Sequence, residues 1–349
     1  MQRLPRLLLA LSLVSLATPA ELVAQDPPRP PGVGGGLIGI GGAGAAHMNA
    51  RRRATRDATR GQRVERELAE AHAQALSWLA ESAVDQQEQC GPLTGALWSS
   101  AVHGTGDSLT AGPYKVAAAT GIRLVRAELG DEPALIGGAL EAHAIACAAL
   151  AEAYTAARSP LLMSSMQRAY GVLVTELGVE GRAWTARELA FTSLAVLAGL
   201  DAGREELEAL LPILNAALEG LDESSPGATE TAGRVLAQIV LARLQEEGPL
   251  SERRADELWE TLMDAAPAAA PSSAPDELPY WYLGACAAAQ LGEERWRDWR
   301  RRLYREFGEA LEQGAPWGPA EQVEARQRAT AWIALALQAQ NESTLTSRW

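Results

Sequence analysis

From residue 62 onward the chain alternates between two kinds of helix-forming segment. One kind is charged along one side and apolar along the other, as in SERRADELWETLMD (251–264) and EERWRDWRRRLYREFGEALEQ (293–313). The other is nearly free of charge. LTGALWSSAVH (93–103) and PYWYLGACAAAQL (279–291) contain no Asp, Glu, Lys or Arg at all. An amphipathic helix has one wet face, whereas a helix that is apolar all round must be covered on every side. Alternation of the two therefore predicts an outer layer of helices wrapped over an inner one.

Punctuation by Gly, Pro and Asp divides the segments into twelve helices. The outer set is 62–82, 114–129, 160–177, 203–219, 251–264 and 293–312. The inner set is 93–103, 138–154, 186–199, 227–244, 279–291 and 320–340. Segment 160–177 is the weakest outer member, carrying only Arg168 and Glu176. Centres of the inner segments recur every 44 to 49 residues, which is a helical hairpin seen six times. Period-two alternation is almost absent, so the fold class is all-α. Six hairpins can close as an (α/α)6 toroid or stay open as a solenoid, and spacing alone does not separate the two. The Pro-rich AAPAAAPSSAPDELP (265–279) reads as a long connection, either draped over one mouth or slack.

The first twenty residues, MQRLPRLLLALSLVSLATPA, place Arg3 and Arg6 before an apolar run that ends among small residues. The run is too short to span a bilayer and predicts a cleavable signal over 1–24, hence export to the periplasm or cell envelope and no transmembrane span in the mature chain. A Gly-, Pro- and Arg-rich flexible linker is expected over 25–61, the helical domain over 62–341 and a short tail over 342–349. Gly39, Gly41 and Gly44 match the spacing of a dinucleotide fingerprint, but no strand pattern precedes them, and the linker reading is preferred. The net charge of −13 disfavours a nucleic-acid partner. Three cysteines (Cys90, Cys147 and Cys286) are too few for a cross-linked scaffold. Cys147 and Cys286, set among alanines, read most simply as buried thiols, with a bridge between them left open.

His143 and Cys147 lie one helical turn apart in EAHAIACAALAEAY (141–154). Three readings exist: a hydrogen-bonded core pair, which is preferred; a pair lining a cavity; or half of a metal site. Tyr114, Trp184, Trp281 and Tyr282, near the ends of inner helices, complete the candidate cavity lining with His143 and Cys147. Asp107, Glu188 and Glu230 lie near inner-helix starts, where paired carboxylates would serve a carbohydrate-active enzyme. An acid there more simply favours the helix dipole. Trp98 and Trp317 are expected to pack rather than to stack on sugars. Trp296, Trp299, Leu303 and Phe307 form the buried stripe of an outer helix.

Taken in series, several stretches resemble the squalene-cyclase-like repeats of the terpenoid cyclase and prenyltransferase type of α/α toroid, as found in exported proteins of planctomycete-type bacteria. ALSWLAESAVDQQEQCGPL is similar to a QW motif, with Leu93 standing where a tryptophan is usual. GDSLTAGPYKVAAATGIRLV, EAHAIACAALAEAY, EGRAWTARELAFTSLAVLAGLDAG, YWYLGACAAAQLGEERWRDWRRRL and QGAPWGP follow in the expected order over roughly 75–341. The resemblance implies a closed toroid. Its catalytic forms need an Asp-x-Asp-Asp acid cluster, or Asp, Cys and His on zinc, or a Gly-Cys-Gly-Glu-Gln thioester. The chain has none of these; EQCGP at Cys90 carries similar letters in another order. The expectation is therefore an exported binding or scaffold domain without catalysis, cofactor or metal. Its partner would be an apolar or amphiphilic ligand or an envelope protein. The alternative is an enzyme of the same fold: an isoprenoid cyclase, a prenyltransferase or a carbohydrate-active toroid.

Overall fold

The computed structural model describes residues 41–105, 107–130, 134–179, 181–222, 227–245, 250–265, 267 and 277–339, with side chains from Gly61 onward. The expected signal (1–24), the first part of the linker, most of the Pro-rich connection and the tail lie outside these residues. Among the described residues there are twelve α-helices and no strand. They are α1 (Gly41–Asp85), α2 (Pro92–His103), α3 (Lys115–Glu128), α4 (Leu140–Ala157), α5 (Pro160–Leu177) and α6 (Ala186–Asp201). The series continues with α7 (Leu211–Glu219), α8 (Ala228–Leu244), α9 (Glu252–Asp264), α10 (Leu278–Leu291), α11 (Glu293–Gln313) and α12 (Val323–Gln338). The chain divides after Ala54 into two units, and the core described below belongs to 55–349.

Two expectations about local structure are corrected. Residues 41–61, read as linker, are helical in backbone and open α1. Past Gly44 the sequence is rich in Ala and Arg and free of proline, so nothing there breaks a helix. Segment 203–219 is not one helix but a 3-10 turn over Glu205–Leu210 followed by α7. Pro212, in the first turn of α7, has no amide to give to the preceding turn, so the helix restarts there.

The helix starts are written in the sequence. Prolines occupy the first turns of α2, α5, α7 and α10, where a missing N–H costs nothing. Thr185 and Glu188 form a capping box at the start of α6, and the Ser251 hydroxyl accepts the Arg254 amide at the start of α9. Gly292, at φ 114°, provides the left-handed step by which α10 passes directly into α11.

Packing follows the alternation. The charge-poor even-numbered helices are buried along most of their length: in α4 every residue from Ala142 to Ala151 is buried. The odd-numbered helices bury one stripe, as α11 does with Trp296, Trp299, Leu303, Phe307 and Leu311. α5, which carries only Arg168 and Glu176, leaves Leu161 and Val174 exposed. All these buried apolar side chains except Ala142 belong to one continuous cluster. α2 packs on α4, α4 on α6, α6 on α8, α8 on α10, α10 on α12, and α12 also packs on α2. The last contact is polar as well as apolar. The Cys90 thiol donates to Gln327 Oε1 at 2.8 Å, and Glu324 Oε1 accepts the Gly91 amide and the Thr94 hydroxyl, each at 3.2 Å. Gln338 meets His72 Nε2 at 2.9 Å through its Oε1 and donates to the Ser100 carbonyl at 3.3 Å through its Nε2. α11 is tied to α1 by the Arg300–Glu65 pair and to α9 by Arg295 with Glu252 and Asp256.

Candidate functional site

Two of the spaces bounded by described residues lie between the buried helices. The central one touches α2, α4, α6, α10 and α12 and is almost filled. Phe191, Tyr282 and Trp332 meet there with ring centroids 5.5 to 6.3 Å apart, the Phe191 and Tyr282 rings stacked within 12° of parallel. With Leu97, Ile145, Ala148, Leu194 and Leu335 around them, about 20 Å³ is left open. That is room for one or two water molecules. Ser100 supplies its hydroxyl to the wall and donates it to Glu152 Oε2 at 2.8 Å.

The second space, about 400 Å³, is a pocket at the starting ends of the same helices. Leu93, Glu141, Arg187, Leu278 and Gln322 line it from the first turns or approaches of α2, α4, α6, α10 and α12. Trp332, buried to 6% exposure, is shared: it walls the central space and floors the pocket. First-turn glutamates interlock the starts. Glu230 of α8 accepts the Arg187 amide of α6 at 3.1 Å, as Glu324 of α12 does for α2. Glu141 Oε2 stands 2.7 Å from Arg187 Nε, although that Nε makes no well-directed hydrogen bond. The short separation establishes the ion pair through Nε, and no described residue bonds the two terminal guanidinium nitrogens. Burial pushes the Glu141 carboxyl above its ordinary pKa, and Arg187 only partly offsets this.

Of the six cavity-lining candidates, only Tyr282 lines the central space. His143 is a core residue. Its Nδ1 accepts the Ile136 amide at 3.0 Å, so the proton sits on Nε2, which donates to the Ala169 carbonyl at 2.9 Å. Both ring nitrogens are engaged, and burial lowers its pKa, so neither a charged ring nor a free ligating nitrogen is present. Cys147 is a buried free thiol whose pKa burial raises. Cys286 is free as well, pushed up to about 12, so the two do not form a bridge. Trp281 faces away from the centre, into a cluster with Tyr280, Trp299 and Phe307. Trp184 is half-buried under the Arg182 guanidinium in a separate open groove of about 660 Å³ bounded by α7. Tyr114 precedes α3 and gives its amide to Asp107 Oδ2 at 3.1 Å.

The carboxylates expected near the helix starts are likewise engaged: Asp107 by Tyr114, Glu188 by Thr185 and Arg182, Glu230 by Arg187. Trp98 is buried outright and Trp317 nearly so, its indole donating to the Ala310 carbonyl. Among the described residues no three His, Cys, Asp or Glu side chains converge as metal ligands. No described helix is long and apolar enough to cross a membrane. Cys90, half-buried and pushed up to about 11, stays a protonated thiol at neutral pH.

Sequence reasoning missed Phe191, Trp332, Glu141, Arg187 and Arg328, all of which line one of the two spaces. Glu141 and Arg187 occupy first-turn positions like those of Glu188 and Glu230, which is the signal that could have found them. Comparison with protein-family models, with curated proteins and with solved structures finds no match to this chain.

Proposed function

We propose that this chain is an exported, non-catalytic binding protein built as a closed (α/α)6 toroid of six helical hairpins. Its ligand site is the pocket at the starting ends of the inner helices. Contact between α12 and α2, and the first-turn glutamates that reach across neighbouring starts, support closure. The squalene-cyclase-like series of motifs points the same way, and the apolar run at 1–24 is the reason for placing the protein outside the cytoplasm.

The observation that carries the functional reading is the filled centre. Phe191, Tyr282 and Trp332 fill the space between α2, α4, α6, α10 and α12, and only about 20 Å³ remains. A ligand is left the pocket above them, whose volume of about 400 Å³ suits a small molecule. Among the described residues Glu141 is the sole carboxylate in its lining, and it is paired with Arg187, so these residues do not supply both the acid and the base that glycoside hydrolysis requires.

The test is a thermal-shift screen of the purified protein against compact neutral, cationic and anionic amphiphiles, repeated on Ala325→Trp. Ala325 lines the pocket from α12 and is partly exposed, so the indole fills the space without entering the core. Ligands that raise Tm in the parent and not in the variant support the reading. Equal shifts in both proteins would place binding elsewhere.

A further inference from the structure

The pocket's charges narrow what it can hold. Among the described residues, three charged side chains line it: Glu141, Arg187 and Arg328. Glu141 and Arg187 neutralise one another across 2.7 Å. Arg328, exposed on α12, makes no hydrogen bond or ion pair with any described residue. The acid placed to pair with it along the helix, Glu324, one turn earlier, is turned to the Gly91 amide and the Thr94 hydroxyl. Glu230 and Glu188, further out, are occupied by the Arg187 amide and by Thr185 and Arg182. A chain of net charge −13 thus presents a concave site whose own lining carries one positive charge in excess. The first turns of the surrounding helices add positive potential to it.

From this we infer that the pocket takes a compact monoanion, an apolar body bearing one carboxylate, with Arg328 receiving the charge and Arg187 offering its spare donors. The inference rests on the pocket being the binding site. Size excludes a long chain: Trp332 closes the floor, and beneath it there is space only for water. Leu93, Leu278, Pro279 and Ala329 supply apolar walls for a ring or a branched alkyl group. Phosphate shares the geometry by which guanidinium grips carboxylate. The charge count separates the two, since one excess positive charge matches a monoanion, whereas a phosphate monoester brings nearly two negative charges at neutral pH.

Calorimetric titration of the full chain with 1-naphthoate, 1-naphthyl phosphate and 1-naphthalenemethanol tests this, on the parent, Arg328→Gln and Ala325→Trp. Naphthoate should bind about tenfold tighter than the neutral alcohol, and Arg328→Gln should remove about that factor while leaving the alcohol within about twofold. Circular dichroism of Arg328→Gln checks that the exposed substitution leaves the fold intact. Equal affinity for naphthoate and alcohol, no binding of naphthoate, or no response to Arg328→Gln overturns the anion assignment while leaving the pocket as a neutral site. Tighter binding of naphthyl phosphate overturns the carboxylate in favour of phosphate. Naphthoate binding unchanged in Ala325→Trp overturns the pocket reading itself.

Discussion

Gly95 of α2 and Gly121 of α3 meet back to back: a β-carbon built on Gly95 would stand 2.8 Å from the Gly121 carbonyl oxygen. The two helices cross at this point with no side chain between them. Ordinarily an alanine in a helix stabilises it by about 1 kcal/mol relative to glycine. Here the methyl meets backbone, which cannot rotate away. Gly121→Ala should therefore destabilise the protein by about 2–3 kcal/mol, read as a lower urea midpoint at unchanged slope. Gly171 of α5, with open space beside it, is the control: Gly171→Ala should stabilise by about 0.5–1 kcal/mol.

Arg302 is a buried cation without a described acid partner. Its guanidinium lies 5.5 to 5.9 Å from the ring centres of Tyr280, Trp281 and Trp299, and it donates to the Met263 carbonyl at 3.0 Å. A flat, weakly hydrated cation suits stacked rings, and an ammonium does not. Arg302→Lys should cost about 1–3 kcal/mol in chemical denaturation, and Arg302→Met at least as much, since it leaves the Met263 carbonyl unpaired. Full rescue by lysine would show that charge alone, not shape, holds this corner.

Burial lowers the pKa of His72, His103 and His143. The folded state then resists protonation that the unfolded chain accepts, so stability is complete above the ordinary histidine value of about 6.5 and is lost as pH falls from there toward the depressed values. Glu141 has the opposite sign: its raised pKa makes its contribution fall as pH rises through that value. Urea midpoints measured from pH 7.5 to 5 should decline. His143→Gln should flatten that slope by up to about 1.4 kcal/mol per pH unit, whatever its effect on absolute stability.

Thiol chemistry gives a separate check. Cys90 is half-buried with its pKa at about 11, while Cys147 and Cys286 are fully enclosed. Alkylation at pH 8 should label Cys90 slowly and the other two only in denaturant, counted by mass spectrometry. Fast native labelling at two or three sites would mean that the inner helices open to solvent.

The helix set was legible because the inner segments are apolar on every side, and nothing but burial accommodates such a helix. Direction was another matter. Trp281 and Tyr282 are chain neighbours about 100° apart on α10; one enters the aromatic cluster beside α11 and the other reaches the centre. A helix without a polar face carries no moment to set its rotation, so which aromatic looks inward is decided by its neighbours and not by its own residues. Trp332 was hidden in a similar way: the charges of α12 all lie in its first half, and the stretch from Ala329 onward that carries Trp332 has none. His143 was legible in outcome: an alanine-rich turn leaves a histidine only backbone to bond, and it bonds the Ile136 amide and the Ala169 carbonyl.

Because the indole of Trp332 is at once the floor of the mouth and a beam of the interior, the base of this pocket cannot be remodelled without repacking the molecule. Substitutions that leave the packing intact are confined to the brim, at positions such as Gln322, Ala325 and Arg328, and on the proposed reading only these could change what the pocket takes. Its depth is set by the demands of folding.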